Sequence, residues 1–196
     1  VEYTADCKAK IDAARTAYEA LTEAQKGYVT KYDALAAAEA AYAVLVDKAA
    51  AEAVDNLIEA IGEVEYTADC KAKIDAARTA YEALTEAQKG YVTKYDALAA
   101  AEAAYVVLVD KAAAKAVEDM IEAIPGEEDL ALADEASIVA ARAAYNALTE
   151  AQKGYVLNEA KLAAAEARLA ELKALAEKEE ADRKAAQGVT DMINAL

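Results

Sequence analysis

The sequence predicts an all-α fold laid out as a tandem array, and three observations carry that prediction. First, residues 1–42 recur without a change as residues 64–105, and AARTAYEALTEAQKGYV at 76–92 returns as AARAAYNALTEAQKGYV at 140–156. The first step is 63 residues and the second 64. Periods of this size in helix-type sequence mark stacked supersecondary units, each burying its apolar face on its own helices and its neighbours. Second, hydrophobic residues make up 57% of the 196-residue chain, yet Ala dominates them and there are 12 Tyr with no Phe or Trp. Helix formation is therefore favoured while large side chains are scarce, which predicts thin bundles filled by Tyr, Leu, Ile and Val. Third, no stretch alternates apolar and polar residues between turn signals, and one Pro and six Gly leave few breaks for strands.

Within a unit, Thr4 is placed to cap a helix whose apolar stripe reads Cys7, Ile11, Ala14, Tyr18, Leu21 along one face. Thr22-Glu23-Ala24-Gln25 has the form of a capping box and starts a new helix. Its stripe runs Tyr28, Tyr32, Leu35, Ala38, Tyr42, Leu45, Ala49, then Val54, Leu57, Ile58 and Ile61, where Gly62 supplies a stop. This reads as one continuous helix over residues 22–61, about 60 Å long at 1.5 Å per residue. Its first half pairs with the preceding helix and its last turns serve the next unit.

Each complete unit is then a three-helix bundle: a short helix A, a middle helix B and the front of a long helix C that becomes the next A. Tandem three-helix bundles joined by long continuous helices have spectrin-like connectivity and predict an elongated rod, with an advance of about 35 Å per unit. The expected units are residues 1–53 (helices B and C, helix A missing), 54–116 and 117–188, followed by 189–196 as helix A of a further unit. In the second unit the helices fall at 54–61, from 68 to 84, and from 85. In the third, 117–124 ends at Pro125-Gly126, B runs from about 133 to 148, and C starts at 149. VTDMINAL at 189–196 follows VEDMIEAI at 117–124 by 72 residues, so eight extra residues extend a charged, solvated connector after Leu172, with a hinge or partner-binding coiled segment as the alternative.

Charge narrows the function classes. A formal net charge of −16, from 37 acidic and 21 basic residues, opposes binding to nucleic acid, whose phosphates require a basic face. It equally opposes docking on anionic lipid. No apolar run reaches the roughly 18 residues needed for a membrane span, so no membrane insertion is expected in this segment. There is no initiator Met, which fits a processed chain or part of a longer one.

EYTADCKAKIDAARTAYEALTEAQKGYVTKYDALAAAEAAY resembles the helical tandem repeats of long exported surface proteins of Gram-positive anaerobes, whose signature has the form KxxIxxARxAYxALTxxQKxxVxNYxxLxxAExAY after a short VxxLIxAIG helix. The matching positions here are Lys8, Ile11, Ala14, Arg15, Ala17, Tyr18, Ala20, Leu21, Thr22, Gln25, Lys26, Val29, Tyr32, Leu35, Ala38, Glu39 and Tyr42, and their counterparts in the second copy. The third copy departs at Glu159 and Leu169, where Tyr32 and Tyr42 align. The resemblance implies an extracellular, cell-surface or cell-wall location and a stalk, spacer or surface-lattice role. It carries no catalytic residues and does not name a ligand.

The residues themselves point the same way. No His is present, Ser137 is the single Ser, and no nucleophile elbow occurs, so a non-enzyme with no catalytic, cofactor-binding or metal residues is expected. Glu127-Glu128-Asp129 reads as a solvated loop rather than a calcium loop. Arg15, Arg78 and Arg142 are expected to pair with neighbouring acids. The Tyr stripe is expected to fill the seams with hydroxyls at the rim. Cys7 and Cys70 occupy equivalent positions about 35 Å apart, too far for an intrachain bridge. They read as small buried hydrophobes, with an intermolecular disulfide as the alternative.

The leading expectation is thus a non-catalytic structural repeat region. The alternative is a multivalent adhesin or binding module recognising a host protein or glycan through its helix faces. A further partner expectation concerns the chain itself. Val189, Met192, Ile193 and Leu196 form an unpartnered helix A, and the groove of Ile11, Tyr18, Tyr28 and Leu35 matches it, so the expectation is either head-to-tail self-association into open filaments or a piece of a longer array whose neighbouring units are covalent.

Overall fold

The computed structural model describes residues 1–195. Among them it contains nine α-helices, one 3-10 turn and no strand, which is the all-α class expected. The helices are α1 (Ala5–Glu19), α2 (Glu23–Lys26), α3 (Tyr32–Glu59), α4 (Ala68–Glu82), α5 (Glu86–Lys89), α6 (Tyr95–Glu122), α7 (Glu135–Ala147), α8 (Glu150–Lys153) and α9 (Glu159–Asn194). The chain forms two compact units, Val1–Tyr105 and Val106–Leu196, with the division falling inside α6.

Helix starts follow the local chemistry. Thr4 and Thr67 have extended backbone conformation, and each side chain accepts the backbone N–H of a Cys, at Cys7 and Cys70. Thr22, Thr85 and Thr149 each form a complete capping box with Gln25, Gln88 and Gln152. One turn later the helix stops, at Gly27, Gly90 and Gly154.

The continuous helix expected over residues 22–61 is therefore corrected. The capping box opens a single turn, and the long helix begins only at Tyr32. α3 has 28 residues, so it is about 42 Å long rather than 60 Å. Its far end is as expected: after Ala60, Gly62 takes the left-handed conformation, φ 66°, which a residue with a Cβ adopts only at a cost.

In the first unit, Val54, Ile58 and Ile61 at the end of α3 form a core with Cys70, Ile74 and Ala77 of α4 and with Leu98 and Ala101 of α6. α4 runs antiparallel to α6, since Tyr105 lies at Thr67 and Tyr95 at Tyr81. In the second unit the same core recurs as Val117, Ile121 and Ile124 with Ile138 and Ala141 of α7 and Leu162, Ala165 and Leu169 of α9. Leu130, in the loop before the 3-10 turn at Leu132–Asp134, adds a buried residue to this core. That turn delays the third helix B to Glu135, and the Asp134 side chain accepts the backbone N–H of Ala131.

Two further expectations are corrected. Tyr28 is 85% exposed because it lies between α2 and α3, off the seam. Leu57 is also exposed, although it sits between buried Val54 and Ile58. Residues 177–187, where the extra eight were expected to extend a solvated connector, are helical and exposed.

Candidate functional site

Where the end of one long helix meets the next repeat, an apolar ridge is flanked by a polar ladder. In the first unit the ridge is Ala51, Val54, Ile58 and Ile61. Above it, Asp47 accepts the Gln88 side-chain amide at 3.0 Å, and the Lys48 ammonium lies 5.6 Å from the centre of the Tyr91 ring. Below it, the Asp55 carboxylate accepts the backbone N–H of Thr93 at 3.1 Å and of Lys94 at 2.9 Å, together with the Thr93 hydroxyl at 2.6 Å. Glu59 pairs with Lys94 at 2.6 Å. Asp55 thus supplies, from 38 residues away, the acceptor that the start of α6 lacks locally. Burial pushes its carboxyl up, but the Thr93 hydroxyl and the two backbone N–H groups outweigh this and hold it below the ordinary range.

The second unit repeats the pattern. Asp110 accepts from Gln152 at 2.9 Å, Lys111 lies 5.6 Å from the centre of the Tyr155 ring, and Glu118 accepts the Leu157 backbone N–H at 2.8 Å. Lys161 lies 3.4 Å from Glu122. Ala114, Val117, Ile121 and Ile124 form the ridge.

The corresponding face of the first repeat, formed by α1 and the start of α3, is open. Ala77 is fully buried, whereas Ala14, with the same local sequence, is exposed; Ile74, Cys70 and Leu98 are buried, whereas Ile11, Cys7 and Leu35 are half-buried. A groove of about 360 Å³ runs along this face, with Ala14, Tyr18, Leu21, Val29, Tyr32 and Leu35 among its lining residues. Of the expected groove residues, Tyr18 and Leu35 line it. Ile11 lies on the same stripe of α1, and Tyr28 stands at the rim position that Tyr91 and Tyr155 take beside a lysine.

A second recurring cluster joins helix B to helix C. Arg15 forks onto Glu39, Arg78 onto Glu102 and Arg142 onto Glu166, each with one bond of 2.6 Å. Hydrogen bonding to the guanidinium holds Glu39 and Glu102 below the ordinary carboxylate range. Tyr18 and Tyr32 pack with ring centres 4.5 Å apart, and Tyr81 and Tyr95 at 4.6 Å. In the third repeat Glu159 replaces the second Tyr and accepts from Arg142 at 3.0 Å, so an ion pair takes the place of a ring contact. These arginines are committed to the bundle.

Both cysteines are free thiols. Cys70 is 4% exposed, so an intermolecular disulfide is closed to it in the folded chain, whereas Cys7 is half-buried at the open face. Among the described residues no group of three or more His, Cys, Asp or Glu side chains converges to hold a metal ion, and no helix is long and apolar enough to cross a membrane. Val189, Met192 and Ile193 on α9 are 57%, 72% and 62% exposed, while Leu196 lies outside the described residues.

Comparison with protein-family models, with curated proteins and with solved structures finds no match to this chain.

The polar ladder is what inspection of the helical stripes misses. Its partners are about 40 residues apart in sequence. A signal for it exists: Asp-Lys precedes the buried Ala by four residues at 47–48 and again at 110–111.

Proposed function

We propose that this chain is a non-catalytic structural repeat region, a stalk or spacer that sets length in an exported bacterial surface protein. The single observation that carries this reading is the repeated splice between bundles. The same ridge and the same ladder of Asp, Lys and carboxylate recur where one long helix hands over to the next repeat. Every rung joins protein to protein.

Lys94 at the start of α6 meets Glu59 at the end of α3, while its counterpart Lys31 precedes the start of α3. One repeat therefore advances by nearly the length of α3, about 40 Å. Continued along the array, this advance gives an elongated rod with spectrin-like connectivity. The cell-surface location rests on the resemblance to exported repeats. A binding module gripping a host protein or glycan calls for a free recurring face. Of the recurrent exposed aromatics, Tyr91 and Tyr155 have a lysine over the ring, and Tyr3 and Tyr66 pack against Tyr42 and Tyr105.

The test is to lengthen the array by inserting a second copy of residues 43–105 directly after Tyr105, which preserves the helical register. Solution scattering is expected to show the maximum dimension growing by about 40 Å at constant cross-section. A particle that grows in all directions would overturn the spacer reading.

A further inference from the structure

We propose that the groove between α7 and α9 in the second unit is a docking slot for a tyrosine side chain carried on a basic segment of a partner protein. Its walls come from one register of two antiparallel helices. Ile138 and Val139 line one side and Leu169 and Ala170 the other, with the Arg142–Glu166 pair at one end and the Glu135–Lys173 pair at the other. The groove has a volume of about 330 Å³, and Val139 on its wall is 57% exposed.

What fits there can be read from the second repeat, whose residues align at an offset of 64. At the position of Leu169 it has Tyr105, whose hydroxyl donates to the Thr67 carbonyl at 3.3 Å and so lays a phenol ring across the two helices. The ring of Tyr66 packs on it with centres 6.0 Å apart. In the third repeat both rings are replaced, by Leu130 and Leu169, which turn into the core. The wall changes in the same sense, since Val139 stands for Asp75 and Ala170 for Val106, making the slot more apolar and wider. The tie that Tyr105 makes between the helices passes to Glu135 and Lys173, which replace Lys71 and Val109. The bundle therefore holds without the ring, and the ring's place stands open.

Three features select the occupant. A planar apolar group suits walls of Ile, Val, Leu and Ala. Both ends are neutralised as ion pairs, so an uncharged ring enters at less cost than an ionised ligand. A hydroxyl also has an acceptor. Ala131 holds the place of Thr67 in the same extended conformation, and its carbonyl accepts one backbone N–H, from Asp134, as the Thr67 carbonyl accepts that of Lys71. A carbonyl has a second lone pair. Thr67 gives its own to Tyr105, and among the described residues no side chain donates to that of Ala131. The chain's net charge of −16 favours lysines or arginines beside the partner's tyrosine. The slot occurs in one repeat, so it adds a single docking point to the rod and goes beyond the spacer reading.

The test observes the methyl signals of the full chain by NMR while it is titrated with p-cresol, the tyrosine side chain alone, and with a short peptide carrying one tyrosine between lysines. The same peptide with leucine in place of tyrosine is the control. Both tyrosine probes are expected to shift the Val139 and Leu169 methyls and to leave Ile74 of the second repeat unmoved. The Kd should be about millimolar for p-cresol and about tenfold lower for the peptide at low salt. Leu169→Tyr restores the ring of the second repeat, and Val139→Asp, at an exposed position, restores its charge. Each is expected to weaken p-cresol binding at least about tenfold with helicity unchanged by circular dichroism. No shift at about 20 mM p-cresol, equal binding of the leucine peptide, p-cresol binding without peptide binding, or a Val139→Asp chain that binds like the parent would overturn the proposal. The lengthened array reports the advance per repeat without either probe, so this inference and the spacer reading fail separately.

Discussion

The carboxylate of Asp55 accepts the backbone N–H and the hydroxyl of Thr93, so the end of one long helix caps the beginning of the next. Lys94, the residue at which α6 begins to turn, also donates its backbone N–H to this group. The equivalent start of α3 at Tyr32 forms without a side-chain cap, so the Asp55 cap adds stability to a helix start that the local sequence already sets. Asp55→Ala should therefore lower the stability of the first unit by about 2 kcal/mol, the usual range for hydrogen bonds to a charged group. Glu118→Ala should act likewise on the second unit through Leu157. Urea titration followed by circular dichroism would check both, and an Asp55→Ala chain as stable as the parent would mean that this cap does not stabilise the splice.

The same carboxylates predict a pH dependence. Arg78 holds Glu102 below its ordinary value, and at Asp55 the Thr93 and Lys94 donors prevail over burial in the same direction. A carboxylate depressed in the folded state contributes stability that is fully present above its unfolded pKa, near 4, and is lost as pH falls through the folded value. The array should thus be equally stable from about pH 6 to 8 and weaken progressively below about pH 4. In Glu102→Gln the acid limb should flatten, which thermal melts at pH 3 and pH 7 would show. An unchanged acid limb would mean that this fork does not contribute to the pH dependence.

Much of this was legible in the sequence because it is local. The three capping boxes lie within four residues, and the ridge Val54, Ile58, Ile61 follows helical spacing. The hidden parts were of two kinds. Gly27 ends α2 in ordinary right-handed conformation, so the break there comes from the non-helical stretch up to Lys31 and not from a positive φ. The ladder is non-local: nothing in a helical stripe says that Asp47 will face Gln88 until the antiparallel course of α4 has brought α5 alongside α3. Burial of Leu130 was hidden for a related reason, since a loop residue is buried only by tertiary packing.

Ala14 and Ala77 provide a control that most proteins lack, one sequence in two environments. Ala77 has no exposed surface beneath the ridge of α3, whereas Ala14 faces the open groove. Ala77→Asp places an unpaired charge in a packed core and should cost about 3 kcal/mol or more, while Ala14→Asp should stay within about 0.5 kcal/mol. Chemical denaturation of the two variants at low concentration checks this. Equal losses would show that the groove of the first repeat is covered in solution.

The cysteines report the same difference without altering the fold. The Cys70 thiol lies against Ile74 and the end of α3 at 4% exposure, so a reagent reaches it only when the bundle opens. Cys7, half-buried at the open face, should react with a thiol-specific disulfide reagent at least about tenfold faster. The two rates should converge in denaturing urea. A Cys7 rate as slow as that of Cys70 in the native chain would mean that this face is covered in solution.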